Sequence, residues 1–317
     1  MIVSSDHVSE KEFLYQFFGN WGRELGSKNR EGKGMQWFSD NPNNVFELID
    51  KCKANKRPAY LSVQPRLNHN TILGIEKLFF DFDYAHKNET LNSRQETSRK
   101  KKMEIEVRKF LFYIHEKRGF NTLNFKTARG YHIYLFVNKI VQLNMNDFDV
   151  WKLTYELLQK DVMKEKYEFC DDMLIGNIKA LARIPLSYHE KSGLQIIPVD
   201  YKLNPTKIRG LSYYTEFGLK TEDIKNKYIE AKVIAEERKK EIAKDIASYN
   251  AKKARGEIKD GEIRPCFKQR LEKGEMPHGM RLACLVEGFH SGIGSIDNQE
   301  PLVQLFSTLH DYDGYKL

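Results

Sequence analysis

The chain has 317 residues, 40% hydrophobic and 30% charged, with a formal net charge of +8. That length suits one large domain plus a smaller one, and the apolar fraction is enough for a packed core. No apolar run approaches the roughly 18 residues of a membrane span, and the opening MIVSSDHVSEKEF lacks the basic-then-apolar order of a secretory signal, so a cytoplasmic protein with no membrane partner is expected.

In chain order, Glu10–Phe18 carries apolar and aromatic residues at helical spacing, and Asn44–Ala54 reads as a second helix. Ala59–Val63 and Ile75–Phe82 are rich in β-branched and aromatic residues and read as strands. Residues 93–118 form a long helix candidate with Met103, Val107, Phe110, Leu111 and Ile114 on one face. Its run Arg99-Lys100-Lys101-Lys102 reads first as a solvated helix face and second as a phosphate-contact patch. Strands are predicted at Thr122–Thr127 and Tyr131–Val137 around Ala128-Arg129-Gly130, a helix through 147–165, and a strand over 194–200. Residues 221–257 are rich in Lys, Glu, Ala and Ile, as in a charged, partly exposed helix joining two domains, and residues 263–317 are expected to form a small helical unit. The cysteines are Cys52, Cys170, Cys266 and Cys284, with no CxxC pair. Neither a zinc site nor a disulfide framework is expected from them.

Three segments carry chemistry. The apolar run Leu78-Phe79-Phe80 delivers Asp81 and Asp83. Side chains at i and i+2 of a strand share a face, so the two carboxylates can converge on a hard divalent cation. The alternative is a strand running out into a solvated acidic turn. The second segment is Lys126-Thr127-Ala128-Arg129-Gly130-Tyr131-His132. Gly130 permits close backbone approach, Arg129 offers a planar fork for phosphate and His132 a donor, although a hairpin with a satisfied histidine fits equally. The third runs from Cys170-Asp171-Asp172 to Arg183-Ile184-Pro185-Leu186-Ser187-Tyr188-His189-Glu190-Lys191-Ser192-Gly193. It offers a further acid and a cluster of phosphate donors, or else a polar surface loop. Taken together, the segments supply acids to hold metals and basic groups to hold a triphosphate.

In that order the motifs resemble the archaeo-eukaryotic primase superfamily, over roughly residues 60–200, and RIPLSYHEKSG is the most specific match. The resemblance implies an α+β primase catalytic fold over residues 1–220, a charged helical linker over 221–262, and an all-helical accessory domain over 263–317. It also implies a template-dependent nucleotidyl transferase that synthesises primers and extends them. Asp81, Asp83 and Asp171 would be catalytic and would carry two Mg²⁺ or Mn²⁺ ions, with Asp172 the rival to Asp171. Arg129, Gly130, His132, Arg183, Ser187, His189 and Lys191 would bind the incoming NTP or dNTP. The serine usual before the GxH turn is replaced by Lys126 or Thr127, and the zinc-binding insertion of many members has no counterpart. The segment before residue 60 is similar to plasmid- or virus-type primase-polymerases, which points to replication of a mobile element.

Arg264-Pro265-Cys266-Phe267 and Met276-Pro277-His278-Gly279-Met280-Arg281 are similar to the start of the C-terminal domain of the large primase subunit. There the matching histidine and arginine help position the initiating nucleotide, so His278 and Arg281 would take that role. Cys266 matches that family's first iron–sulfur cysteine, but a cluster needs four thiolates, so none is expected here. Single-stranded DNA template, a helicase domain or subunit, and a monomeric state complete the expected partners. The rivals are a non-catalytic nucleic-acid-binding subunit and a metal-dependent nuclease.

Overall fold

The computed structural model describes residues 7–29, 31, 33–68, 71–85 and 91–255. The expected helical accessory domain, with Cys266, His278, Arg281 and Cys284, lies outside them. Contacts divide the chain into two units, Met1–Ala235 and Glu236–Leu317, and every described strand belongs to the first. No helix among the described residues is long and apolar enough to cross a membrane.

The first unit is α+β. Helix α1, Glu10–Phe18, starts at Ser9, whose hydroxyl accepts from the Glu12 amide, and it buries Phe13, Leu14, Phe17 and Phe18. A hairpin of β1, Arg23–Lys28, and β2, Gly34–Ser39, comes next and had no apolar alternation to announce it. Helix α2, Asn43–Ala54, buries Val45, Leu48 and Cys52, and β3, Tyr60–Ser62, pairs antiparallel with β1. Strand β4, Gly74–Asp83, extends the expected Ile75–Phe82 at both ends. Helix α3, Ser93–Phe112, opens on a reciprocal capping box between Asn92 and Gln95 and continues into a wider turn over Tyr113–Lys117.

Strand β5, Leu123–Lys126, precedes β6, Gly130–Gln142, so Gly130 is the first residue of a strand. Helix α4, Phe148–Met163, short β7, Leu181–Arg183, and β8, Ile197–Val199, follow, then α5, Leu211–Glu216, and α6, Thr221–Ala254. The strands form two antiparallel sheets, in the orders β2-β1-β3-β7 and β4-β6-β5-β8.

Alternation along β4 separates two cores. Leu78, Phe80 and Phe82 join Ile133 and Leu135 of β6, Met103, Val107 and Phe110 of α3, and Trp151, Tyr155 and Leu158 of α4. Phe79 faces the other way, with Tyr134 and Phe136 of β6, Phe13 and Phe17 of α1, and Leu25, Leu61 and Ala182 of the other sheet. Asp81 and Asp83 share the Phe79 face by the period-2 rule, at the end of the strand.

Register at that end puts His132 opposite Asp81 and Gly130 opposite Asp83. A Cβ built on Gly130 would come within 1.6 Å of the Phe82 carbonyl oxygen, which is backbone and cannot rotate away. Gly130 therefore permits the close approach of β4 and β6. Gly130→Ala is expected to force β4 and β6 apart, at a cost at or above the upper end of the roughly 1–3 kcal/mol typical of overpacking. Urea denaturation should show a lower midpoint with an unchanged slope.

Candidate active site

The end of β4 is crossed by the segment that carries the third acid. The Asp83 amide donates to the Phe169 carbonyl at 3.0 Å and the Asp171 amide to the Asp81 carbonyl at 2.8 Å, with Phe82 and Cys170 bridged antiparallel between them. This ladder brings Asp171 alongside the Asp81/Asp83 pair. Burial pushes the Asp81 carboxyl up to about 7, and the charges of Asp83 and Asp171 add to the push against Arg129 and Arg183. The side chain nonetheless keeps 28% of its surface in solvent, so the crowding is at a partly exposed strand end and not in the deep core.

Asp172 is placed elsewhere. Its carboxylate pairs with Lys166 at 2.6 Å and is largely exposed, lining a shallow pocket of about 550 Å³ with Glu156, Lys160 and Lys164. After burial, the acids that raise Asp81 are Asp83 and Asp171.

Two arginines and two histidines converge on this end of the fold from separate elements. Arg129, in the turn between β5 and β6, pairs with Asp83. That turn is held by the Thr127 amide donating to the Gly130 carbonyl at 2.8 Å and the Gly130 amide donating to the Thr127 hydroxyl at 3.0 Å. Arg183, on β7 of the other sheet, pairs with Glu190 and lies over the Tyr60 ring with its guanidinium 5.5 Å from the centroid. Its positive charge bears on Asp81 and on both histidines. His132 is buried, edge-on to Phe79, with Nε2 3.6 Å from Asp81. Burial, then Arg183, drives its pKa down to about 3. The imidazole is therefore neutral, and the close approach to Asp81 is not an ion pair.

His189 is the better exposed of the two histidines. Its Nδ1 accepts from the Ser192 amide at 3.2 Å and lies 3.1 Å from the Ser192 hydroxyl. With Nδ1 taken as an acceptor, the neutral ring carries its proton on Nε2 and presents that atom as a donor. The tight turn that does this has the Gly193 amide bonded to the His189 carbonyl and Gly193 at φ 67°.

Ser187 and Lys191 are not gathered with the others. Ser187 is buried, and its hydroxyl donates to the Ile184 carbonyl at 2.7 Å. That bond closes a turn in which Pro185 is followed by Leu186 at φ 65°, a position where glycine is usual. Lys191 is exposed at the tip of the next turn, where its charge is felt at His189. Tyr60, Glu190 and Ser192, given no role by sequence reasoning, are the residues that touch Arg183 and His189. Glu190 and Ser192 lie inside the RIPLSYHEKSG run, whereas nothing in the sequence marks Tyr60.

The donor set suits a hard cation: three carboxylates that repel one another, with no thiolate among them. Among the described residues, no three of His, Cys, Asp or Glu stand in ready metal-holding geometry. Asp83 is engaged by Arg129 and by the Ala85 amide, and Asp171 accepts from the Met173 amide at 2.9 Å. Cys52 and Cys170 are buried free thiols, and burial pushes Cys170 up.

No protein-family model matches the sequence, and no curated protein matches it. Among solved structures, the chain is similar to the primase RepB′, with 10% identity over 94% of this chain and 85% of that one, at a TM-score of 0.42. It is also similar to the catalytic domain of primase RepB′ in complex with initiator DNA, with 8% identity over 71% of this chain and 97% of that one, at a TM-score of 0.40.

Proposed function

We propose that the chain is a DNA primase-polymerase, a nucleotidyl transferase that joins nucleotides on a single-stranded template. One observation carries this reading: Asp81, Asp83 and Asp171 meet at the end of β4, where the charges of Arg129 and Arg183 bear on Asp81. Acids alone would serve a hydrolase. Acids facing two arginines from separate elements suit a reaction in which a triphosphate is both bound and cleaved.

Asp81, Asp83 and Asp171 would hold divalent cations, which when bound neutralise phosphate charge and favour ionisation of the attacking hydroxyl. Arg129, now paired with Asp83, would exchange that carboxylate for phosphate oxygens. Arg183, held by Glu190 and Tyr60, and the Nε2–H of His189 would grip the β- and γ-phosphates. In the step itself a 3′-oxygen forms a bond to the α-phosphorus while the bond from that phosphorus to the bridging oxygen breaks, and pyrophosphate leaves. Neutral His132, beneath Asp81, would keep a positive charge away from that carboxylate's cation-binding oxygens. Priming in the replication of a mobile element, with a helicase as partner, is the setting we favour.

The deciding assay combines single-stranded DNA, labelled nucleotides, and Mg²⁺ or Mn²⁺, with and without a primer. Products that lengthen with time and require template and divalent ion are expected. Shortening of the DNA would instead make the protein a nuclease. Binding with neither lengthening nor shortening, even from a primer, would make it a non-catalytic subunit.

A further inference from the structure

Arg183 has a neighbour whose polar atom is unused. On β3, Tyr60 stands opposite Arg183 of β7 on one side and opposite Gly26 of β1 on the other. Directly opposed residues of an antiparallel pair share a face, so Tyr60 and Arg183 project from the same side of this sheet. The guanidinium lies over the Tyr60 ring, 5.5 Å from its centroid.

Tyr60 is half-buried, and its hydroxyl has no hydrogen-bond partner among the described residues. The Tyr134 hydroxyl also lacks one, but it is sealed from solvent and that of Tyr60 is not. The neighbours in the row leave the Tyr60 hydroxyl without an acceptor. Gly26 has no side chain, and Arg183 is itself a donor, already bonded to Glu190. Burial pushes the hydroxyl up, Arg183 and Arg129 pull it down, and Glu190 opposes them. Tyr60 is thus a neutral O–H donor at neutral pH, in the field of two arginines that come from different sheets. A polar group held in this way without a partner forgoes a hydrogen bond. An anion between the two arginines would supply the missing acceptor.

We propose that the Tyr60 hydroxyl donates to a phosphate oxygen of the triphosphate held by Arg129 and Arg183, so that one side chain supports the guanidinium with its ring and the ligand with its O–H. The nature of the ligand rests on the nucleotidyl-transfer reading, and the choice of residue on the β3–β7 pairing.

The test uses the full chain as wild type, Tyr60→Phe and Tyr60→Leu. Binding of inorganic triphosphate with Mg²⁺ is followed by calorimetry, and primer extension gives KM and kcat for the nucleotide. Phenylalanine keeps the ring beneath Arg183 and removes only the hydroxyl. A hydrogen bond to a charged group is worth about ten-fold or more in affinity. Tyr60→Phe is therefore expected to bind triphosphate about ten-fold more weakly and to raise KM to match, with kcat little changed. Its melting temperature should equal that of wild type, because the deleted hydroxyl bonds nothing in the fold. Tyr60→Leu, which also removes the ring, should bind more weakly still. Wild-type binding by Tyr60→Phe with loss only in Tyr60→Leu would make the ring a support for Arg183 and overturn the proposal. So would a loss in Tyr60→Phe that comes with a lower melting temperature. Weaker triphosphate binding by Tyr60→Phe, when the wild type extends no primer, would sink the polymerase reading and leave the phosphate contact standing. Extension by the wild type, with binding and KM unchanged in Tyr60→Phe, would sink the contact alone.

Discussion

Arg23→Ala is expected to cost about 3–5 kcal/mol of stability, the loss seen when one partner of a buried charge network is removed. The Arg23 side chain has no exposed surface and still uses its whole guanidinium. Nε donates to the Phe18 carbonyl at 2.8 Å, NH1 to the Val63 carbonyl at 3.1 Å, and NH2 to Glu76 at 2.6 Å. One side chain therefore ties the end of α1, the chain beyond β3 and the start of β4. Lys77 completes the group, 2.7 Å from Glu76 and packed over Phe17 at 4.1 Å. Burial alone would raise Glu76, but Arg23 and Lys77 together hold it below the usual carboxylate range. Removing Arg23 strands carbonyls and halves the counter-charge at once. Thermal or urea unfolding would measure the loss, and a change under about 1 kcal/mol, the upper end for a typical surface pair, would mean the network is solvated.

The same group makes stability depend on pH. Burial lowers the Lys77 ammonium to about 8, against the opposing pull of Glu76. Between about 8 and the ordinary lysine value, the unfolded chain holds a proton that the folded chain has released, so stability rises with pH. Buried Tyr131 and Tyr155, both pushed up by burial, act in the opposite sense above about 10, where tyrosines of the unfolded chain ionise. An optimum on the alkaline side of neutrality is the joint expectation, and Lys77→Met should abolish the rise.

How far the sequence could be read follows from where side-chain pattern and tertiary contact part company. The β4 ladder was legible because Leu78-Phe79-Phe80 is apolar and the period of two fixes which face Asp81 and Asp83 share. The long helices were legible by period, and α1 begins and ends where its pattern does. The β1–β2 hairpin was not, because RELGSK places Arg23 and Glu24 in the interior, and local pattern reads charges as surface. Those charges are buried only because Glu76 and Arg66 wait for them from distant parts of the chain. Strand β7 has three residues and α5 six, too few to show a period. The choice between Asp171 and Asp172 was posed by the sequence, and the structure places Asp171 beside Asp81 while Asp172 pairs with Lys166. RIPLSYHEKSG named a segment without separating the parts its residues play in the fold. Arg183 and His189 are presented, Ser187 is spent on a turn, and Ser192 and Glu190 orient the other two.

Asp81→Asn is expected to remove nucleotide incorporation while leaving the fold as stable as before, or more so. Asparagine keeps the size of the side chain and removes a carboxyl that burial, and then Asp83 and Asp171, push above the usual carboxylate range. A carboxylate kept for structure would behave in the reverse way, since its loss would leave a buried cation without a partner. Asp81 is not the main partner of any cation: His132, its near neighbour at 3.6 Å, is neutral, and Arg129 and Arg183, whose charges reach it, pair with Asp83 and Glu190. The cost of the charge cluster is therefore carried by the protein without a structural return, as expected where function and stability conflict. Loss of a single charge-stabilising group costs enzymes about 10²–10³-fold in rate, and loss of an acid that holds the cations should reach at least that. Incorporation rate and melting temperature are to be measured on the same preparation, the melt without added divalent ion. A drop in melting temperature with partial activity would mark Asp81 as structural and move the chemistry off the end of β4. A dead enzyme that melts no lower than wild type would mean that the crowding of acids at this strand end exists for what it binds.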